Sequence, residues 1–181
     1  AGSSVYLPPV TLYAVNNYGT IRLNWQMGRL CLDQRFNQNV IPEGWINQDK
    51  NNNGTGWQIS NENPNSGLYC IMSNSNGATE NNWLISPMLN MGANPVLSWK
   101  VSGTSIGSNY KIMISTSNTN EFQTMIYQGT VSDSLWERKS LNLFNYSNQQ
   151  VFIAFVFLGG NEASVIRLDD IGVSLLTEEN E

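Results

Sequence analysis

Apolar and polar side chains alternate in short runs along most of the chain. The runs Thr20 to Trp25, Val96 to Val101, Tyr110 to Ser115 and Val165 to Leu175 show it, and Asn, Gly, Ser and Pro close them. A period of two places successive side chains on opposite faces of a pleated strand, so each run predicts a β-strand with one buried face. No stretch of twelve or more residues carries the 3.6-residue apolar period of an amphipathic helix, and Gly, Asn, Ser and Thr are dense wherever one would have to run. Many short strands joined by turn residues bury their apolar faces by stacking one sheet on another. The pattern therefore predicts an all-β jelly-roll β-sandwich of two antiparallel sheets. Trp45, Trp57, Trp83, Trp99 and Trp136 are expected mostly in its core and rim.

Residues 10–25, VTLYAVNNYGTIRLNW, stand apart as two alternating runs joined by Asn-Asn-Tyr-Gly, a hairpin signal. They resemble the opening two strands of a fibronectin type III module, without the five strands that should follow. A lone hairpin is barely stable in water, so docking onto a larger domain is expected. The predicted organisation is an N-terminal hairpin extension over 1–29, a jelly-roll domain over 30–176 and a solvated, disordered tail over 177–181.

Composition narrows the function. The chain has 181 residues, about one domain's worth, with 13% charged residues, a net charge of -5 and 26 asparagines where charge would be usual. Its four lysines and five arginines are scattered and form no basic stripe, which argues against nucleic acid. The longest apolar run, Val151 to Leu158, has strand length and falls far short of a membrane-spanning helix, so no membrane insertion is expected. The start carries neither an initiator methionine nor a charged, apolar leader, which suits a mature exported protein. Cys31 and Cys70 lack a motif and leave a disulfide and two buried thiols both open.

Histidine is absent, which removes the usual general base, the usual partner of a Ser or Cys nucleophile and the commonest transition-metal ligand. Glycines such as Gly159 and Gly160 lack the strand-turn-helix setting of a phosphate-cradling loop. A carboxylate pair for glycoside hydrolysis is conceivable among 14 acids, but the expectation is that the chain is not an enzyme.

A spaced set of motifs carries more information. LDQRFNQNVIPEGW at 32–45, DKNNNGTGW at 49–57, NNWLISPML at 81–89, VFIAFVF at 151–157 and RLDDIGVSLL at 167–176 together resemble the cleaved adhesin family, also met as choice-of-anchor J domains. These are jelly-roll modules, related in shape to MAM domains, of exported bacterial surface proteins. The resemblance implies an extracellular or cell-surface binding or adhesion module with a protein or glycan partner, and structural calcium. It maps closing acids onto Asp169 and Asp170, an acidic loop onto Asp49, Asn51 and Asn53, and a Phe-Glu pair onto Phe36 and Asn37. Asn37 replaces the carboxylate there, so Asp33 or Gln34 would have to substitute. The histidine that follows the family's "IAFr" is missing too, where this strand continues as AFVFLGG. Alternative functions are an accessory carbohydrate-binding domain of a larger hydrolase and a structural spacer.

Physical chemistry weighs these positions differently. Asp169 and Asp170 lie inside the last apolar run, where alternation is expected to turn one of them toward the packed face. A buried carboxylate needs a cation, an arginine or several amide donors, and Arg167 lies on the face of Asp169. Asp49, Asn51, Asn53 and Gly54 fit the start of a calcium loop, D-x-[DN]-x-[DN]-G, but Ser60 stands where a bidentate glutamate belongs. A tight turn held by Asx-type hydrogen bonds explains the same residues. The expectation is that any metal sits first at Asp169 and Asp170. Trp136, Tyr127, Tyr110 and Tyr69 are the aromatic candidates for ligand contact, because sugars stack on aromatic faces and protein partners bury them.

Overall fold

The computed structural model describes residues 11–17, 20–26, 29–104, 107–160 and 162–175. The hairpin forms as expected: β1 (Thr11–Asn17) and β2 (Thr20–Gln26) pair antiparallel, in register from Thr11↔Gln26 to Asn17↔Thr20. How it docks rests on side chains outside the described residues, as do residues 1–10 and the tail 177–181.

The remaining strands are β3 (Arg29–Gln34), β4 (Ile46–Asp49), β5 (Gln58–Ser60), β6 (Cys70–Asn76), β7 (Thr79–Ile85) and β8 (Leu89–Asn90). They continue through β9 (Pro95–Ser102), β10 (Ser108–Ser115), β11 (Thr124–Val131), β12 (Glu137–Asn142), β13 (Gln150–Gly159) and β14 (Ala163–Leu175). One sheet runs β11-β10-β13-β7-β4, with β8 also on β13. The other runs β12-β9-β14-β6-β5, with β3 also on β14. Every pairing is antiparallel and most consecutive strands cross between the sheets, with β5–β6 and β10–β11 pairing within one sheet, so the architecture is the jelly-roll sandwich read from the pattern. A single 3₁₀ turn, Phe144–Tyr146, is the helical element among the described residues.

Alternation fills the space between the sheets. Leu84, Ile112, Phe155 and Phe157 meet Ile71, Leu97, Trp99 and Leu168, all fully buried. Trp99 is the centrepiece: its ring stacks edge-on to Tyr127 at 5.1 Å and to Phe155 at 6.1 Å, and its indole N–H donates to the Tyr110 hydroxyl at 3.2 Å. Truncating such a side chain typically costs about 3–5 kcal/mol.

Strand β13 departs from the two-faced rule. Ile153, Phe155 and Phe157 join the core, whereas Ala154 and Val156 turn outward into a second cluster with Trp83, Ile85 and Met113. An uninterrupted apolar run is the signature of a strand covered on both faces. β14 departs differently. Its register with β9 slips between Asp169 and Gly172, and Asp170 takes the left-handed backbone, φ 47°. Leu168 and Ile171 therefore both reach the core, and Asp169 shares the outward face of the sheet with its partner Lys100. The bulge corrects the expected face, since neither acid points between the sheets, but one of the two, Asp169, is buried all the same and is held by several amide donors.

Both cysteines stand as thiols. Cys70 is fully buried, and burial pushes its thiol up to about 11.

Candidate functional site

Three regions gather the residues singled out in the sequence. The first is the loop after β4. Asn52 and Gly54 adopt left-handed backbones, φ 52° and 82°, and the chain turns tightly enough for the Gly54 N–H to donate to Asp49 Oδ2 at 2.9 Å. The Asn47 side chain clamps the far end, accepting from the Trp57 N–H at 3.1 Å and donating to its carbonyl at 2.7 Å. Trp57 is buried and donates its indole N–H to the Asn82 carbonyl at 3.0 Å, fixing the loop to β7.

Polar side chains from β7 complete this loop. Glu80 and Asn82 occupy buried positions on the core-facing side of β7, in line with Leu84. Glu80 Oε2 accepts from Asn53 Nδ2 at 2.8 Å and from the Thr55 hydroxyl at 2.6 Å. The same hydroxyl lies 2.6 Å from Asn53 Oδ1 and has one proton for the two oxygens; Asn53 Oδ1 also accepts the Thr55 backbone N–H at 3.0 Å, and Glu80 Oε2 lies 3.3 Å from Asn82 Nδ2. Asp49 and Asn82 are direct cross-strand partners, and both Asp49 Oδ1 and Asn82 Oδ1 are buried without a hydrogen-bond donor. Asn51 points elsewhere, donating to the Thr79 carbonyl at 3.1 Å. The site thus gathers carboxylate and amide oxygens, two of them buried without a donor, and such oxygens are the ligand type of a hard cation. Asp49, Glu80, Asn53 and Asn82 are the residues that would hold calcium here. Glu80 and Asn82 were missed in the sequence, although polar residues at core-facing positions of an apolar strand were the available signal.

The second region surrounds Asp169. Its carboxylate is fully buried beneath the loop before Cys70, and Oδ2 accepts the backbone N–H groups of Asn65 at 2.9 Å and Ser66 at 3.0 Å. Oδ1 accepts the Asp170 N–H at 2.8 Å. Asp170 accepts from Asn65 Nδ2 and from the Ser66 hydroxyl, each at 2.6 Å. Gly67 completes the loop at φ 63°, where a Cβ would collide with the Asn37 amide oxygen. Asp33 pairs with Arg35 at 3.1 Å, and the charge of Asp170 and Asp169 also acts on that guanidinium. The structure therefore brings Asp33, Asn37, Asp169 and Asp170 around one loop. Every oxygen of the two closing acids has a protein donor, so this is a satisfied network. Desolvation raises the Asp169 carboxyl to about 6, and the N–H donors oppose that rise. The Arg167 alternative is not realised: Arg167 reaches Glu62 at 3.5 Å and not Asp169. No three acidic or cysteine side chains converge among the described residues, so a cation in either region must draw on amide, hydroxyl or carbonyl oxygens.

The third region is the outward face of the sheet containing β13. Trp83, Ile85, Met113, Ala154 and Val156 form an apolar cluster there, edged by Ile46, Phe122, Phe152 and Leu158. The Trp83 indole is oriented by its N–H bond to Asn81 Oδ1 at 2.7 Å and meets the Phe122 ring at 5.3 Å.

The aromatic candidates lie elsewhere. Tyr110 is 1% exposed in the core, which removes it from any ligand-contacting surface. Tyr127 packs against Tyr110 and Trp99, and Tyr69 against the same core. Trp136 is half-buried and donates its indole N–H to the Asn63 carbonyl at 3.0 Å, bracing the loop over Asp169. Period two gives the face of each residue but not which face becomes the interior.

The Cleaved Adhesin Domain family matches residues 30–173. Hemagglutinin A of Porphyromonas gingivalis is 23% identical across 96% of this chain, which spans about a tenth of that protein's length. The K3 cleaved adhesin domain of Lys-gingipain from the same organism superposes with a TM-score of 0.69 at 18% identity, covering 81% of this chain and 99% of that domain. The CBM22-1 xylan-binding domain of Paenibacillus barcinonensis Xyn10C superposes at 0.60 with 14% identity, covering 85% of this chain and 99% of that one. At these identities the structural likeness speaks to the fold.

Proposed function

This chain belongs to the cleaved adhesin family, and from that premise we propose that it is a non-catalytic binding module of an exported surface protein, recognising a protein or a glycan outside the cell. One observation carries the reading: the outward face of the β13 sheet is apolar and aromatic. The outer face of an antiparallel sandwich is ordinarily polar; here Trp83, Met113 and Val156 are covered by the chain itself, and the half-buried residues at the edge of the cluster, Phe122, Phe152 and Leu158, are what a ligand or partner would bury further. A carbohydrate-binding accessory role is the second reading, favoured by the shared fold with a xylan-binding domain.

Calcium is proposed as a structural ion of the loop after β4, held by Asp49, Glu80, Asn53 and Asn82. Its charge would neutralise the buried carboxylates and fill the coordination of the two oxygens that lack donors.

The test is a screen of the chain against a glycan array and a panel of extracellular-matrix proteins, repeated with Phe122→Ala. Binding that falls about tenfold or more in the variant is expected, since an aromatic contact of this kind is worth over 1 kcal/mol. A ligand bound equally by both forms would contradict the assignment of the face.

A further inference from the structure

The outward face that this reading identifies as the binding surface carries an ordered row of side chains. Direct cross-strand partners share a face, and the register runs Gln48↔Trp83, Trp83↔Val156, Val156↔Lys111 and Lys111↔Gln128. At about 4.8 Å between strands, this row crosses the sheet over roughly 19 Å, with an amide at each end and an indole and an ammonium between them. Two residues beyond Gln48, Lys50 adds a second ammonium. Its backbone N–H is pinned to the Asn81 carbonyl at 3.1 Å, and its Nζ lies 3.6 Å above the Trp83 ring. Lys111 Nζ lies 6.0 Å from the same ring.

Two of the four lysines of an acidic chain thus converge on one tryptophan. None of the ion pairs among the described residues involves either of them. The adjacent acid, Asp49, faces the opposite side of β4 with its partner Asn82, and Glu121 lies exposed on the Phe122 loop.

We propose that this row binds a carboxylate-bearing oligosaccharide, a sugar ring lying on Trp83 and its carboxylate held between Lys50 and Lys111. An indole face accepts the C–H side of a pyranose, the glutamine amides exchange hydrogen bonds with hydroxyls, and ammonium groups form charge-assisted bonds to a carboxylate. Trp83 is only 7% exposed, with the Lys50 ammonium over its ring and Phe122 beside it, so the sugar takes the place of Lys50: that lysine is the flexible end of an exposed side chain and turns from the indole to the anion. Burial and the charge of Lys111 lower the Lys50 pKa, so the positive charge gathered here lacks a counter-ion and an anion relieves it.

The proposal rests on the outward face being the binding face, and one calorimetric series separates the two ideas. The wild-type chain is titrated with trigalacturonate, 3′-sialyllactose and neutral xylotriose, alongside Lys50→Gln/Lys111→Gln and Phe122→Ala, each checked for an unchanged melting temperature. Expected is binding of at least one acidic probe about tenfold more tightly than xylotriose, weakening with salt, and lost by about tenfold in the double lysine variant. Xylotriose bound as tightly as the acidic probes, and weakened by Phe122→Ala alone, would overturn the charge selectivity and keep the face. An acidic probe bound equally by the double lysine variant, or no binding by any probe, would overturn the proposal.

Discussion

Two acidic clusters in this fold look alike as sequence and differ in chemistry. Around Asp169 the two carboxylates receive five hydrogen bonds from protein donors, three on Asp169 and two on Asp170. Around Asp49 the buried Oδ1 atoms of Asp49 and Asn82 receive none. The difference teaches that counting acids does not locate a cation site. The balance of donors against acceptors does, because an oxygen already hydrogen-bonded by backbone N–H groups gains less from a metal than one with no partner. By that measure the asparagine-rich loop outranks the closing Asp-Asp pair, the reverse of the order expected from carboxylate number.

The comparison can be broken most visibly at Asp169. Replacing it with alanine strands three backbone N–H groups and unpins the loop over it, so Asp169→Ala is expected to destabilise the fold by about 3 kcal/mol or more. In a chain of this size that lowers the melting temperature by about 10 °C. The loss is expected with or without calcium, and a loss appearing only in calcium-loaded protein would put the ion at the wrong cluster.

The next effect is calcium itself. A loop with two buried oxygens that lack donors should bind it, and an ion present at a hundred times its dissociation constant stabilises the native state by about 2.7 kcal/mol. Melting of chelator-stripped protein is expected to shift upward in millimolar calcium, and Asp49→Asn/Glu80→Gln to abolish the shift. An unchanged melting temperature in the wild type would remove the ion from the account.

A smaller effect is electrostatic. The Asp169 carboxyl lies at about 6 in the fold and near 3.8 when unfolded, so the native state binds more protons between these values. Stability from this group is full below about pH 4 and falls as pH rises through about 6. From pH 5 to pH 7 the loss is about 1 kcal/mol. Urea titrations at the two pH values should show that difference in the wild type and not in Asp169→Asn. A cation bound at Asp169 would hold the carboxyl ionised and erase the slope, which makes this a second discriminator between the clusters.

The smallest change is expected at Arg167. Its partner Glu62 is 69% exposed at 3.5 Å, so Arg167→Met should alter stability by no more than about 0.5 kcal/mol. A larger loss by chemical denaturation would mean that the ion pair, and not Asp169, anchors the loop.

Much of the fold was legible because it depends on local periodicity. Thr20 to Trp25, Val96 to Val101, Tyr110 to Ser115 and Val165 to Leu175 all lie in strands, each extended by up to two residues at its ends. The family was legible for a different reason, since its motifs are short and spaced along nearly the whole domain. The bulge at Asp170 was not legible: nothing in Leu-Asp-Asp-Ile marks the second aspartate for a left-handed backbone. The loop after β4 was half legible. Asp49 and Gly54 announce a turn, but Glu80 and Asn82 arrive from a strand some thirty residues on, through a pairing that sequence spacing does not contain. The outward apolar face had a signal in the unbroken run VFIAFVFL, whose length exceeds what one buried face requires. The tyrosines misled because alternation is symmetric, and only the stacking of the second sheet decides that Tyr110 faces inward.

Calorimetric titration of calcium into chelator-stripped protein, compared between Asp49→Asn and Asp170→Asn, tests the central claim most directly. The account predicts saturable binding of one ion that Asp49→Asn removes and Asp170→Asn leaves intact. Binding that survives Asp49→Asn and disappears in Asp170→Asn would contradict it.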